Sequence, residues 1–183
     1  FGTVHGGKGA NQAVAASRLG AQVAMIGCVG SDAYGVQLRE GLEAENIDCQ
    51  AVRTVTQGVS GVALIVVDAN SQNTIVVVPG TNGCLASQDI MAFDGMLQET
   101  KVIICQLEVP METVGHTLKR GRELDKIVIL NPAPASGPLP VQWYASVDYL
   151  IPNESEAGAL TGVTVDSLAS AELAARSLLA LGA

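Results

Sequence analysis

The sequence predicts an α/β fold: a doubly wound, mostly parallel sheet with a small antiparallel β piece outside it. Three observations carry this expectation. Val- and Ile-rich runs alternate with stretches of helical period, the pattern of βα units. Those runs are continuously apolar, as strands buried on both faces are. One stretch, 51–79, breaks the alternation with two β-rich runs and no helix between them.

Each element has a local reason. Residues 9–19 place Ala, Val and Leu at helical spacing, and Gly20 stands where a terminating glycine belongs. QVAMIGCV, 22–29, is a short buried strand. GSDAYG, 30–35, is a loop in which Asp32 can cap a helix running to about Ala44 and ending before Asn46. SGVALIVVD and NTIVVVP, joined by ANSQ, read as an antiparallel hairpin. A helix is predicted over 86–97. KVIICQLE, 101–108, is a strand with a polar exit, and Pro110 suits the first position of a helix reaching about Leu124. KIVILN, 126–131, is the next strand and NPAPASGPLP a rigid loop. VDYLIPNESE, 147–156, is a third strand with a polar exit, and 166–181 is a final amphipathic helix. The opening FGTV also has strand character. Ligands of such sheets gather outside the carboxyl ends of the strands, so QLE, NPAP and PNESE are expected to line one crevice.

Composition sets the outer bounds. Hydrophobic residues make up 48% and charged residues 15%, enough for a substantial core. The net charge is −8 with no Lys/Arg cluster, which argues against a nucleic-acid surface. An acidic chain that holds an anion must do so locally, with backbone N–H groups and a few placed cations. The four cysteines, Cys28, Cys49, Cys84 and Cys105, form no C-x-x-C and read as ordinary buried thiols. No apolar run reaches ~18 residues and no leader pattern opens the chain. A soluble cytoplasmic protein with no membrane partner is therefore expected. Both ends look cut through structure, so the sequence reads as part of a longer chain.

The stretch GTVHGGKGANQ nearly spells a P-loop, but Gly9 stands where that motif needs a Ser or Thr hydroxyl for Mg²⁺. Gly7 and Gly9 let backbone approach a ligand closely. Lys8 offers donors, and Asn11 both a donor and an acceptor. That mixture suits sugar hydroxyls better than phosphate, which accepts only; the plain alternative is a flexible start to a helix. Glu108, at a strand end, can accept from two hydroxyls or simply be solvated. Asn153 and Glu156 sit three apart, on one face of a short helix. Asn153 is also a natural cap. Glu156 is either a first-turn carboxylate favoured by the helix dipole or a holder of hydrated Mg²⁺. His5 and His116 have no ligand-spaced partners and are given no catalytic role.

Together GGKGANQAVAASRLGAQVAMIGCVGSDAYG, QLE before a helix, LNPAPA and PNESEAGALTG resemble the ribokinase family of sugar kinases, the phosphofructokinase-B type. The resemblance spans essentially the whole chain and lies in the order and spacing of the motifs. It implies a Rossmann-like α/β sandwich with a β-sheet lid, here 1–4 and 51–79, on a body of 5–50 and 80–183. It implies transfer of the ATP γ-phosphoryl group to a sugar hydroxymethyl, with Mg²⁺ and a monovalent cation, K⁺, as cofactors. Gly7, Lys8, Gly9, Asn11 and Glu108 would bind the sugar, with Ala63 and Ile65 on its apolar face. Asn153 would lie by ATP, and Glu156 would place Mg²⁺ through water. The lid would join two subunits as a homodimer. The family's Gly-Ala-Gly-Asp segment, with its catalytic base, would lie beyond Ala183, so these residues alone would not turn over substrate. Deoxyribose, ketohexose or nucleoside acceptors remain open, as does a non-catalytic sugar-binding module.

Overall fold

Helices and parallel strands alternate along the chain as predicted, in a computed structural model that describes residues 2–67 and 73–182. The chain divides into two units, Phe1–Leu85 and Ala86–Ala183.

In the first unit, α1 (Lys8–Arg18) ends at Leu19, and Gly20 follows with φ 92°, a left-handed conformation that glycine adopts without strain. Arg18 in its last turn forks onto the Glu45 carboxylate, and this contact holds Glu45 below the usual carboxylate range. The single strand expected over 22–29 is two pieces, β1 (Val23–Ala24) and β2 (Gly27–Gly30). They pair in parallel with β3 (Ile47–Asp48) and β4 (Val52–Val55). Ala24 lies opposite Asp48, but Gly27 lies opposite Val52, so the second strand carries one extra residue at the step. Met25 N–H donates to Asp48 O and Gly27 N–H to Ala51 O, keeping the two ladders joined across this bulge. Arg39, from α2 (Ala33–Ala44), donates to Cys49 O and Val52 O on the bulged strand. Ala13, Val29, Leu42, Ile47, Cys49 and Val52 form the core between these helices and strands.

Two antiparallel strands follow, β5 (Val62–Val67) and β6 (Asn73–Val78), as the hairpin reading requires. The ANSQ connection falls outside the described residues. The predicted lid boundary needs correction, because Val52–Val55 pairs in parallel with β2 and belongs to that sheet. Residues 2–4 form no strand; strand character in a sequence becomes a strand only where a neighbouring backbone takes up its hydrogen bonds. A 3-10 turn, Gly80–Cys84, closes the unit.

The second unit opens with two short helices in place of the one expected over 86–97: α3 (Ser87–Ala92) and α4 (Asp94–Glu99). Phe93, at φ −112° and ψ 27°, leaves the helical region between them. Three parallel strands, β7 (Val102–Cys105), β8 (Ile127–Leu130) and β9 (Tyr149–Leu150), lie side by side in chain order. Helix α5 (Met111–Glu123) starts just after Pro110 and lays Val114 and Leu118 in a core with Val128 and Leu130. Gly121 allows the close approach: a Cβ there would sit 2.7 Å from Val128 Cγ2. A short helix not anticipated, α6 (Val141–Tyr144), follows the proline loop. One turn gives no readable period, and its reason is tertiary: Trp143 and Tyr144 are buried in the same core. Helices α7 (Glu154–Thr161) and α8 (Leu168–Ala180) complete the unit and add Leu160 and Leu178 to that core. Cys28 and Cys49 are buried as expected, whereas Cys84, on the 3-10 turn, is exposed. Burial pushes the Cys105 thiol up to about 12, so it stays protonated and inert.

Candidate functional site

The first unit presents the glycine-rich helix start. Gly7 is the N-cap of α1 at φ 98°, a conformation open to glycine and strained for other residues. No side chain caps this helix. A helix start of this kind, with Gly9 in its first turn, suits an acceptor brought by a ligand. Lys8 and Asn11 lie three apart on α1 and share a face, Lys8 half-buried and Asn11 exposed. Asn11 N–H is taken up by Gly7 O at 2.9 Å, so its side chain is the part left for recognition.

The hairpin in the same unit has two apolar faces. Ala63 pairs with Val77 and Ile65 with Ile75, and residues directly opposite share a face. That face is exposed, Ile65 at 57% and Val77 at 60%. It is a flat apolar strip with no charge, able to cover the carbon side of a small polar molecule.

The second unit gathers three strand exits at the carboxyl edge of its parallel sheet. Backbone hydrogen bonds stitch them in sheet order. Asn131 N–H donates to Cys105 O at 2.9 Å and Leu107 N–H to Ala133 O at 3.0 Å, tying QLE to NPAP. Ile151 N–H donates to Leu130 O at 2.9 Å, tying the PNESE exit to the same edge. The Asn131 side chain adds a bond from Nδ2 to Ile151 O at 2.9 Å. The three exits thus adjoin within this unit. Glu108, half-buried, follows β7 in the first of them.

Asn153 and Glu156 stand at the third exit and form a reciprocal cap on α7. Asn153 Oδ1 accepts from Glu156 N–H at 2.8 Å, and Glu156 Oε2 accepts from Asn153 N–H at 2.9 Å. Glu156 is 8% exposed, not the solvated first-turn residue that was one expectation. The sequence held the sign of this pairing, Asn followed three residues later by Glu, the pattern of a capping box. The role of the Asn131 side chain had no such sign, because a bond to Ile151 O depends on where two strands end in space.

Comparison with known proteins bears out the family resemblance and the fold class. The family profile described as pfkB family carbohydrate kinase matches residues 1–183. The chain is 41% identical over 177 residues to a deoxyribokinase of Salmonella typhi, covering 97% of this chain and 58% of that one. It is 43% identical over 160 residues to a ribokinase of Bacillus subtilis, covering 87% of this chain and 54% of that one. Among solved structures, Arabidopsis thaliana ribokinase complexed with ribose and ATP superposes with a TM-score of 0.86 at 27% identity, over 97% of this chain and 58% of that one. A ribokinase of Thermotoga maritima gives 0.83 at 35% identity, over 97% and 57%. The chain thus spans little more than half the length of these relatives.

Proposed function

Because this chain belongs to the pfkB family of carbohydrate kinases, we propose that it carries sugar- and nucleotide-contacting residues of an ATP-dependent pentose kinase. Its acceptor is D-ribose in the first place, and its product ribose 5-phosphate. The observation that carries the reading is the stitched carboxyl edge of β7, β8 and β9, with Glu108 at one exit and Asn153 at another. Two exits held on either side of the β8 exit can present a sugar ligand and a nucleotide ligand at fixed spacing, and phosphoryl transfer is mostly a matter of such positioning.

In this reading Lys8, Asn11 and Glu108 take up sugar hydroxyls, the backbone around Gly7 and Gly9 approaches the ring, and Ala63 with Ile65 covers its apolar face. Asn153 contacts ATP. Bound Mg²⁺ would spread the triphosphate charge. Glu156 fits an outer role toward it: Oε2 is committed to the Asn153 N–H, and among the described residues no group of three or more ligating side chains gathers. A hydrated cation that takes most of its ligands from water and phosphate needs no more than one such carboxylate. A K⁺ requirement, a homodimer and a cytoplasmic location belong to the same proposal.

The deoxyribokinase relative at 41% identity favours one second reading, 2-deoxyribose as acceptor. A coupled assay of ADP release by the full-length protein separates them, run with D-ribose, 2-deoxy-D-ribose, D-fructose and a nucleoside. Ribose should give the largest kcat/KM. A larger value for deoxyribose selects the second reading, and no pentose-dependent ADP release sinks both.

A further inference from the structure

A polar cluster that the sugar and nucleotide residues leave unused lies at the root of the β5–β6 hairpin. Ser60, just before β5, is 1% exposed. Its N–H donates to Asp32 Oδ2 at 2.9 Å and its hydroxyl to Asp32 Oδ1 at 2.7 Å. Ser60 Oγ accepts from Gly30 N–H at 2.9 Å. Asp32 Oδ1 also accepts from Gly35 N–H at 2.9 Å, which caps α2. One carboxylate therefore holds both the start of a helix and the start of a hairpin strand 28 residues away. The Ser60 hydroxyl foremost, then its N–H, keeps that carboxylate below its ordinary range, as an acceptor of several donors must be.

The backbone at the root of the hairpin is closely packed. The two legs leave through a waist of glycines where backbone meets backbone. A Cβ on Gly61 would lie 2.7 Å from Pro79 O, and one on Gly80 would collide with Val59 O. Thr81 N–H closes the waist on Val59 O at 2.9 Å. Glycines have no side chains to interlock, so orientation there falls to polar contacts.

We propose that Asp32 is a positioning residue for the sugar: through Ser60 it sets the angle at which β5 leaves the waist, and so where Ala63 and Ile65 present their face. This rests on the reading of that face as sugar-contacting. The lever is long enough to matter. Ile65 is five residues from Ser60, about 17 Å at ~3.3 Å per residue, so a tilt of about 10° at the root moves it by about 3 Å.

Asp32→Asn separates the two jobs of the carboxylate. Asn caps a helix as well as Asp does, so α2 keeps its start. The new amide, however, sets a donor against the Ser60 N–H. In full-length protein, amides of β5 and β6 should exchange with deuterium about tenfold faster while α2 amides are unchanged, the scale of a lost bond to a charged group. The sugar KM should rise about tenfold with the ATP KM and melting temperature nearly constant. Ser60→Ala, which keeps the Ser60 N–H bond, should give a smaller shift of the same kind. Unchanged hairpin exchange overturns the anchor. Faster exchange with an unchanged sugar KM overturns the positioning role, as does a parallel rise in both KM values. If the wild type phosphorylates no sugar, the functional reading fails, and the exchange measurement alone decides whether Asp32 anchors the hairpin.

Discussion

At the scale of single residues, the sharpest distinctions concern Asn11 and Glu156. Asn11 is exposed on the first turns of α1, with its backbone N–H already bonded to Gly7 O. Asn11→Ala in the full-length enzyme should leave the melting temperature almost unchanged and raise the sugar KM more than the ATP KM. The loss should be roughly 0.5–1.5 kcal/mol, or up to ~3 if a buried partner is stranded. Equal effects on both substrates would count against a sugar role. Glu156 is a harder case, because the capping box gives it a structural task whatever else it does. Glu156→Gln keeps the shape and an oxygen for the Asn153 N–H, and removes the charge. A purely structural Glu156 predicts a slight fall in melting temperature, a carboxylate at a helix start contributing about 0.3–1 kcal/mol, with normal kinetics. A role toward hydrated Mg²⁺ predicts a fall in kcat and a raised Mg²⁺ requirement; an unchanged kcat across a Mg²⁺ titration would remove that role. The places of Lys8, Asn11, Glu108 and Asn153 at helix starts or just past a strand end were legible from local pattern. The capping role of Glu156 was half-legible, its spacing visible and its burial not.

At the scale of elements, the Asp94–Arg120 pair shows what a helix boundary can be for. Arg120 on α5 forks onto Asp94 at the start of α4, Nε to Oδ1 at 2.7 Å and Nη2 to Oδ2 at 2.8 Å. This contact, helped by Gln98, lowers the Asp94 carboxyl to about 2. A carboxyl near 4 in the unfolded chain and about 2 in the folded one stabilises the fold above pH ~4. That contribution fades as pH falls toward 2. Denaturant midpoints of wild type and Asp94→Asn should therefore differ most near neutral pH and converge between pH 4 and 2. A difference that stays constant over this range would show that the pair contributes nothing through charge. The long helices and the strands were readable because period and caps are local. The split at Phe93, the step between β1 and β2, and the single turn of α6 were not. Each meets a partner outside its own element: Arg120 for α4, Arg39 for the bulged strand, and the Val114–Leu118 core for Trp143.

At the scale of the whole molecule, the hairpin exposes apolar side chains on both faces, Ile65 and Val77 on one, Leu64 and Val76 on the other. A sheet of two strands covered on neither side is an association hazard unless something buries it. If one face meets sugar, a second copy of the chain is the expected cover for the other. Full-length protein should then sediment as a dimer at micromolar concentration. Val76→Asp, directly opposite Leu64, should yield monomers of unchanged helix content. A monomeric wild type would end the dimer proposal. The sequence by itself determined the βα alternation, the hairpin, the glycine helix start and the three polar exits, because period, caps and backbone permissiveness act over a few neighbouring residues. Only the tertiary structure decided the bulged register, the bond from Asn131 to Ile151, the burial of Glu156 and the hold of Asp32 on Ser60. The register and the two long-range bonds depend on groups some twenty or more residues apart meeting at hydrogen-bond distance, whereas Glu156 is buried although its own bonds are local; local pattern carries no record of either until the core has packed.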